Sequence, residues 1–101
     1  MYARAGNDRL IGGAGADTLT GGAGDDVFVF GSGFGMDNIT EFAPGHDVIE
    51  LHDGMFADFA AVMANAQQVG SDTVITYDAN NKITLTGVNM TLLTSSDFLL
   101  V

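Results

Sequence analysis

The sequence predicts a mainly β fold: short parallel strands wound into stacked coils in the first half, closed by a C-terminal cap of one short helix and a β-hairpin. Three observations predict it. Residues 3–29 read as three copies of a nine-residue unit, G-G-x-G-x-D-x-U-x, where U is a large apolar residue. Asp8, Asp17 and Asp26 recur nine apart, and Leu10, Leu19 and Phe28 follow them by two in each copy. Beyond residue 50 the period gives way to helical spacing and then to two alternating apolar runs around a turn sequence.

Each unit has a physical logic. Glycines at its first, second and fourth positions (Gly12, Gly13 and Gly15; Gly21, Gly22 and Gly24) allow a positive φ, and so a tight turn with its carbonyl oxygens aimed inward. The aspartate adds a full negative charge, and an oxygen-only donor set suits a hard cation of Ca2+ size. The last three residues then form a short strand. A glycine-rich acidic linker would have no need of Leu10, Leu19 and Phe28 in phase.

Two consecutive units make one coil with turns on alternate sides, so neighbours in a column of turns come from units n and n+2. From residue 30 the period loosens, yet Gly35, Asp37 and Ile39, then Gly45, Asp47 and Ile49, keep the same phase, with aspartate spacings of eleven and ten. Turns facing solvent absorb such insertions, whereas a strand must keep its inward residue in phase. Five turns follow, at Asp8, Asp17, Asp26, Asp37 and Asp47. The inward residues are Leu10, Phe28 and Ile49 on one sheet and Leu19 and Ile39 on the other. Pairing n with n+2 joins Asp8 to Asp26, Asp17 to Asp37 and Asp26 to Asp47, which sets the expectation of two to three bound ions. Outward positions are polar at Arg9, Thr18 and Thr20 but apolar at Val27 and Val29, so an apolar cover is expected there.

The cap is read as a helix of about ten residues beginning near Ala57, with Phe56, Phe59, Ala60, Met63 and Ala66 at helical spacing. A hairpin follows, TVITY and KITLT around DANN, with Asn80 or Asn81 left-handed and Val74, Ile83 and Leu85 on one face. A short turn capped by Ser or Asp leads into a final extended segment. Repeat arrays need capping because an end coil leaves an apolar edge open. Residues 1–50 are therefore assigned to the coils and 51–101 to the cap, the two forming one folding unit.

The repeats, together with the Gly35–Phe42 and Gly45–Leu51 segments and the terminal Asp97, Phe98, Leu99, Leu100 and Val101, resemble the C-terminal region of RTX (hemolysin-type calcium-binding repeat) proteins exported by bacterial type I secretion. The resemblance covers nearly the whole chain. It implies a short parallel β-roll, Ca2+ as cofactor, and a secreted, extracellular protein without an N-terminal signal peptide. It also implies the type I exporter as a partner in transit, with an uncleaved export signal at the C-terminus. Its ligand pattern takes carbonyls at positions two and four plus the aspartate of one turn, and carbonyls at positions one and three plus the aspartate of the next. Carried over, this sets Arg4, Gly6 and Asp8 against Gly21, Ala23 and Asp26. Gly13, Gly15 and Asp17 then face the turn of Asp37, and Gly22, Gly24 and Asp26 face that of Asp47. The first unit departs from the pattern, with Ala3 and Arg4 where glycines are expected.

Composition narrows the function. A chain of 101 residues is a single small domain and marginal without a staple. It has no cysteine, so a bound metal is the remaining common device. Thirteen acids against three bases, a formal charge of −10, exclude nucleic acid as a partner, and no apolar run is long enough for membrane insertion. His46 and His52, beside Asp47 and Asp53, lack the H-E-x-x-H spacing, and no phosphate loop or nucleophile motif is present. No enzyme activity is therefore expected within this chain. The natural protein is expected to extend upstream of Met1, and a catalytic domain, if there is one, would lie there. Asp25 is assigned to solvent, and Glu41, Glu50 and Asp53 are further candidate ligands. The expected function is a calcium-responsive folding and secretion module at the C-terminus of a larger exported bacterial protein. The alternative is a carbohydrate-binding or accessory module of a secreted polysaccharide- or protein-degrading enzyme. An uncapped first coil, Ala3 to Ile11, invites self-association.

Overall fold

The computed structural model describes residues 6, 8–11, 13, 15–22, 24–31 and 33–100. Its elements are β1 (Arg9–Ile11), β2 (Thr18–Thr20), β3 (Val27–Phe30), β4 (Met36–Thr40), β5 (Val48–Leu51), α1 (Phe59–Ala64), β6 (Ala66–Val69), β7 (Asp72–Asp78), β8 (Asn81–Leu85) and β9 (Phe98–Leu100). Two 3-10 turns, Met90–Leu92 and Ser95–Asp97, precede the last strand. Successive units alternate between two sheets, because each turn sends the chain to the opposite side. One sheet has the order β1-β3-β5-β9, and the other β2-β4-β8-β7-β6. All pairs are parallel except β8 with β7 and β7 with β6.

The register confirms the phase read from the repeats. Leu10, Phe28, Ile49 and Phe98 stand in one row, and Leu19, Ile39 and Leu85 in the other. All seven are buried. Four more phenylalanines join this core, Phe30 from the end of β3 and the others from the turns and the cap: Phe30 meets Phe34 with ring centroids 5.3 Å apart, Phe42 meets Phe28 at 6.1 Å, and Phe56 is buried nearby. The C-terminal half does not simply lie over the end of the coils. It supplies the next parallel strand of each sheet, β8 beside β4 and β9 beside β5.

The cap departs from expectation in three places. The helix has six residues. Asp58 caps it by accepting from Ala61 N–H at 2.8 Å, Val62 is its buried residue, and Ala60 is exposed. A helix this short has little stability of its own, and pairing with β7 claims Ala66–Val69 as a strand. In the hairpin, Ile75 stands opposite Ile83 and Thr73 opposite Leu85. Residues directly opposite share a face, so Thr73 and Ile75 point inward, while Val74, opposite Thr84, takes the other face. Neither Asn80 nor Asn81 is left-handed. The turn is held by Asp78 Oδ1, which accepts from Asn80 N–H (2.9 Å) and Asn81 Nδ2 (2.7 Å). The last turn is capped by Thr94 with Asp97.

The expected apolar cover over Val29 is also different. Its neighbours in register on the outer face are Ile11 and Glu50. The helix docks through Phe59 on Phe98, ring centroids 5.7 Å apart, at the end of the inward row.

Phe28 is fully buried at the centre of its row, so Phe28→Ala should cost about 3–5 kcal/mol. Thr84→Ala, on the outer face, should stay within about 0.5 kcal/mol of the parent. Urea melts in saturating Ca2+ would show the first variant largely unfolded and the second unchanged.

Candidate metal centre

The parallel ladders run on past the strands into the turns. Val27 N–H donates to the carbonyl of Asp8 (2.8 Å), Asn38 N–H to that of Asp17 (2.9 Å) and Val48 N–H to that of Asp26 (2.9 Å). This stacking hands each aspartate side chain to the turn two units earlier. Asp26 Oδ1 accepts from Asp8 N–H (3.0 Å), Asp37 Oδ1 from Asp17 N–H (2.9 Å) and Asp47 Oδ1 from Asp26 N–H (2.9 Å). The three pairs read from the repeat spacing are thus brought together, and Asp26, Asp37 and Asp47 are each at most 3% exposed.

The second carboxylate oxygens separate the aspartates into two groups. Oδ2 of Asp8, Asp17, Asp26 and Asp37 is buried without a hydrogen-bond partner among the described residues. A buried acceptor left unsatisfied costs about 1–3 kcal/mol, more when charged. Four of them cost about 4–12 kcal/mol together, the size of a small domain's whole stability. Asp47 is different, because its Oδ2 accepts from Ala43 N–H at 2.8 Å.

Both columns of turns end on side chains that the repeat pattern did not mark. Asn81 Oδ1 accepts from Gly35 N–H at 2.8 Å. Asp97 Oδ1 accepts from Gly45 N–H at 2.8 Å, and its Oδ2 from Thr94 N–H at 2.7 Å. The sequence marked Asp97 as part of the terminal segment and not as the end of a column of turns; its place three residues after Thr94 is the spacing of a capping box. Asn81 had no such signal.

Glycine is required where turns stack. A Cβ on Gly24, at φ +98°, would lie 2.3 Å from the carbonyl oxygen of Gly6, and one on Gly35, at φ +87°, 2.2 Å from that of Gly15. Within the third turn, a Cβ on Gly21 would lie 2.4 Å from Asp26 Oδ2. The carbonyls of Gly6 and Gly15 therefore press onto the next turn of each column, beside the half-paired carboxylates. Gly13 and Gly22 share one turn conformation, φ 75° in each. Arg4 and Ala23 lie outside the described residues. Among the described residues no three His, Cys, Asp or Glu side chains gather in one place, so a cation here would draw on main-chain carbonyls as well. An all-oxygen set of carboxylates and carbonyls fits Ca2+.

The remaining candidates have other surroundings. Glu41 and Asp53 are exposed, with φ of 61° and 62°. Asp25 is exposed, 3.5 Å from His46 Nδ1. Glu50 accepts from Arg9 and His52 on the outer face of the first sheet.

Burial also sets the charge. It pushes the Asp37 carboxyl up to about 6, aided by the charge of Asp17 and opposed by the Asp17 N–H. Burial likewise raises Asp26 above the usual carboxylate range. Its bond from Asp8 N–H opposes this, and the charges of Asp47, Asp8 and Asp25 add to it.

Two sheets of parallel strands, joined by stacked glycine turns with inward carbonyls and half-paired aspartates, define a parallel β-roll. The RTX calcium-binding nonapeptide repeat, in four copies, matches residues 2–36. Those residues are therefore RTX repeats. No curated protein matches the sequence. Among solved structures, the extracellular lipase LipA from Serratia marcescens is similar over 99% of this chain, with a TM-score of 0.78 and 20% identity. The chain spans about a fifth of that protein, 21% of its length, and the likeness is one of fold.

The raised carboxyl of Asp37 sets a pH dependence. Its ordinary value is about 3.9, so between there and about 6 the folded metal-free chain holds more protons than the unfolded one. The contribution of this group to metal-free stability is therefore full below about pH 4 and is lost as pH rises through 6. In chelator, circular dichroism should show more structure at pH 4.5 than at pH 7.5. Calcium affinity should move the opposite way and weaken below pH 6. Asp37→Asn should abolish most of the acid gain.

Proposed function

We propose that this chain is a calcium-driven folding module of a secreted protein, with two ions per chain. The observation that carries this reading is the set of four buried carboxylate oxygens, Oδ2 of Asp8, Asp17, Asp26 and Asp37, without a hydrogen-bond partner among the described residues. One ion would be held by Asp8 and Asp26 with the Gly6 carbonyl, and the other by Asp17 and Asp37 with the Gly15 carbonyl. The ion would supply the positive charge that these oxygens find in no donor among the described residues. Asp47 stands outside the set because both its oxygens already accept from the main chain.

The mechanism is linkage. Paired turns do not exist in the unfolded chain, so the free energy of ion binding is folding free energy. With dissociation constants of about 10⁻⁴ to 10⁻³ M, as in extracellular calcium modules, the sites would be empty at intracellular calcium and filled outside. Each ion at tenfold saturation adds about 1.4 kcal/mol. The strands β8 and β9, which continue both sheets, support a single folding unit with no independent first half.

The repeat array is non-catalytic in itself. We assign it the role of C-terminal folding and secretion domain of a larger exported bacterial protein, which would pass the type I exporter unfolded and fold on emergence.

Native mass spectrometry in Ca2+ should count two ions on the parent chain, one on Asp17→Asn and two on Asp47→Asn. Three ions on the parent with two on Asp47→Asn would return Asp47 to the ligand set and overturn the count.

A further inference from the structure

The outer face of the first sheet carries a buried charge that the calcium turns do not use. Glu50 points outward from β5, is 7% exposed, and stands in register between Val29 of β3 and Leu99 of β9. A carboxylate in such apolar company is costly unless a cation meets it. Its Oε2 accepts from Arg9 Nη2 and from His52 Nε2. Arg9 belongs to β1, two strands away, so the ion pair crosses over β3.

The first coil needs such help. Among the described residues, β1 is three residues long and pairs with β3 alone. Its turn has Ala3 and Arg4 where later units carry two glycines. Yet this coil supplies Asp8, and Arg9 is the residue that follows it.

We propose that Glu50 is a positioning residue for the first calcium site: by holding Arg9 across β3, it fixes the start of β1 and so the place of Asp8 opposite Asp26. The inference rests on the calcium reading above. His52 steadies the Glu50 carboxylate from its own strand end. The second site, Asp17 with Asp37, lies on the other column of turns and receives nothing from this pair. The guanidinium is about half exposed, with 56% of the Arg9 side chain accessible, so solvent screens the pair and its effect is modest.

The test is calcium titration by calorimetry of the full chain in two backgrounds. With Asp17→Asn only the first site remains, and with Asp8→Asn only the second. Glu50→Gln keeps size and loses charge. It should weaken binding about threefold to tenfold in the Asp17→Asn background and leave the Asp8→Asn background unchanged. Arg9→Ala should match Glu50→Gln, the two together should be no worse than either, and the exchange Arg9→Glu with Glu50→Arg should recover much of the loss. Circular dichroism in saturating Ca2+ checks that every variant reaches the folded state. An equal loss in both backgrounds would mean a general stabilising role, and no loss in either would mean none; each overturns the inference while leaving the calcium reading in place. A parent chain that binds no calcium overturns both.

Discussion

Everything in this structure depends on a carboxylate that is buried before it is neutralised. Stacking one turn on another places Asp26, Asp37 and Asp47 under the main chain of the turn two units earlier, where one oxygen of each finds an N–H. In four of the five turns, at Asp8, Asp17, Asp26 and Asp37, the buried Oδ2 finds no hydrogen-bond partner among the described residues. The same stacking presses carbonyls of Gly6 and Gly15 onto the following turn, so among the described residues acceptors outnumber donors there. A fold of this size cannot carry several such groups and remain stable. The proposed cation is therefore part of the fold's energetics, and the strong acidity of the chain belongs to the same constraint.

The C-terminal half resolves the problem that the repeats create at their end. It extends the hydrophobic rows, with Leu85 following Ile39 and Phe98 following Ile49. It also ends the columns of turns with side chains whose acceptors are filled, Asn81 on one side and Asp97 on the other. The step from Asp37 to Asn81 exchanges a charge for an amide whose nitrogen already donates to Asp78. Asp47, last of the repeat aspartates, uses the short loop from Ala43 to close its own second oxygen. On the proposed reading, metal demand is thus confined to the first four turns.

The coils were legible because their two signals share one register. An aspartate and an apolar residue two apart, repeated every nine, leave a single way to stack, and the inward rows Leu10–Phe28–Ile49 and Leu19–Ile39 follow directly. The cap was legible only as element types. Its helix ends at Ala64 because pairing with β7 outweighs helical spacing at Ala66, a contact between segments that local pattern does not encode. The choice of Thr73 over Val74 as an inward residue came from cross-strand register, which one uncertain turn residue is enough to shift. The difference between Asp47 and the other aspartates turns on one hydrogen bond from Ala43, and spacing carries no record of it.

The central claim is that the half-paired aspartates make folding conditional on calcium. The most direct test is far-UV circular dichroism with sedimentation velocity while Ca2+ is titrated into chelated protein at neutral pH, with Mg2+ as the control. The account predicts an expanded chain with little β signal in chelator, and cooperative gain of both structure and compaction with Ca2+ but not Mg2+. A compact, fully β-structured chain in excess chelator would contradict it.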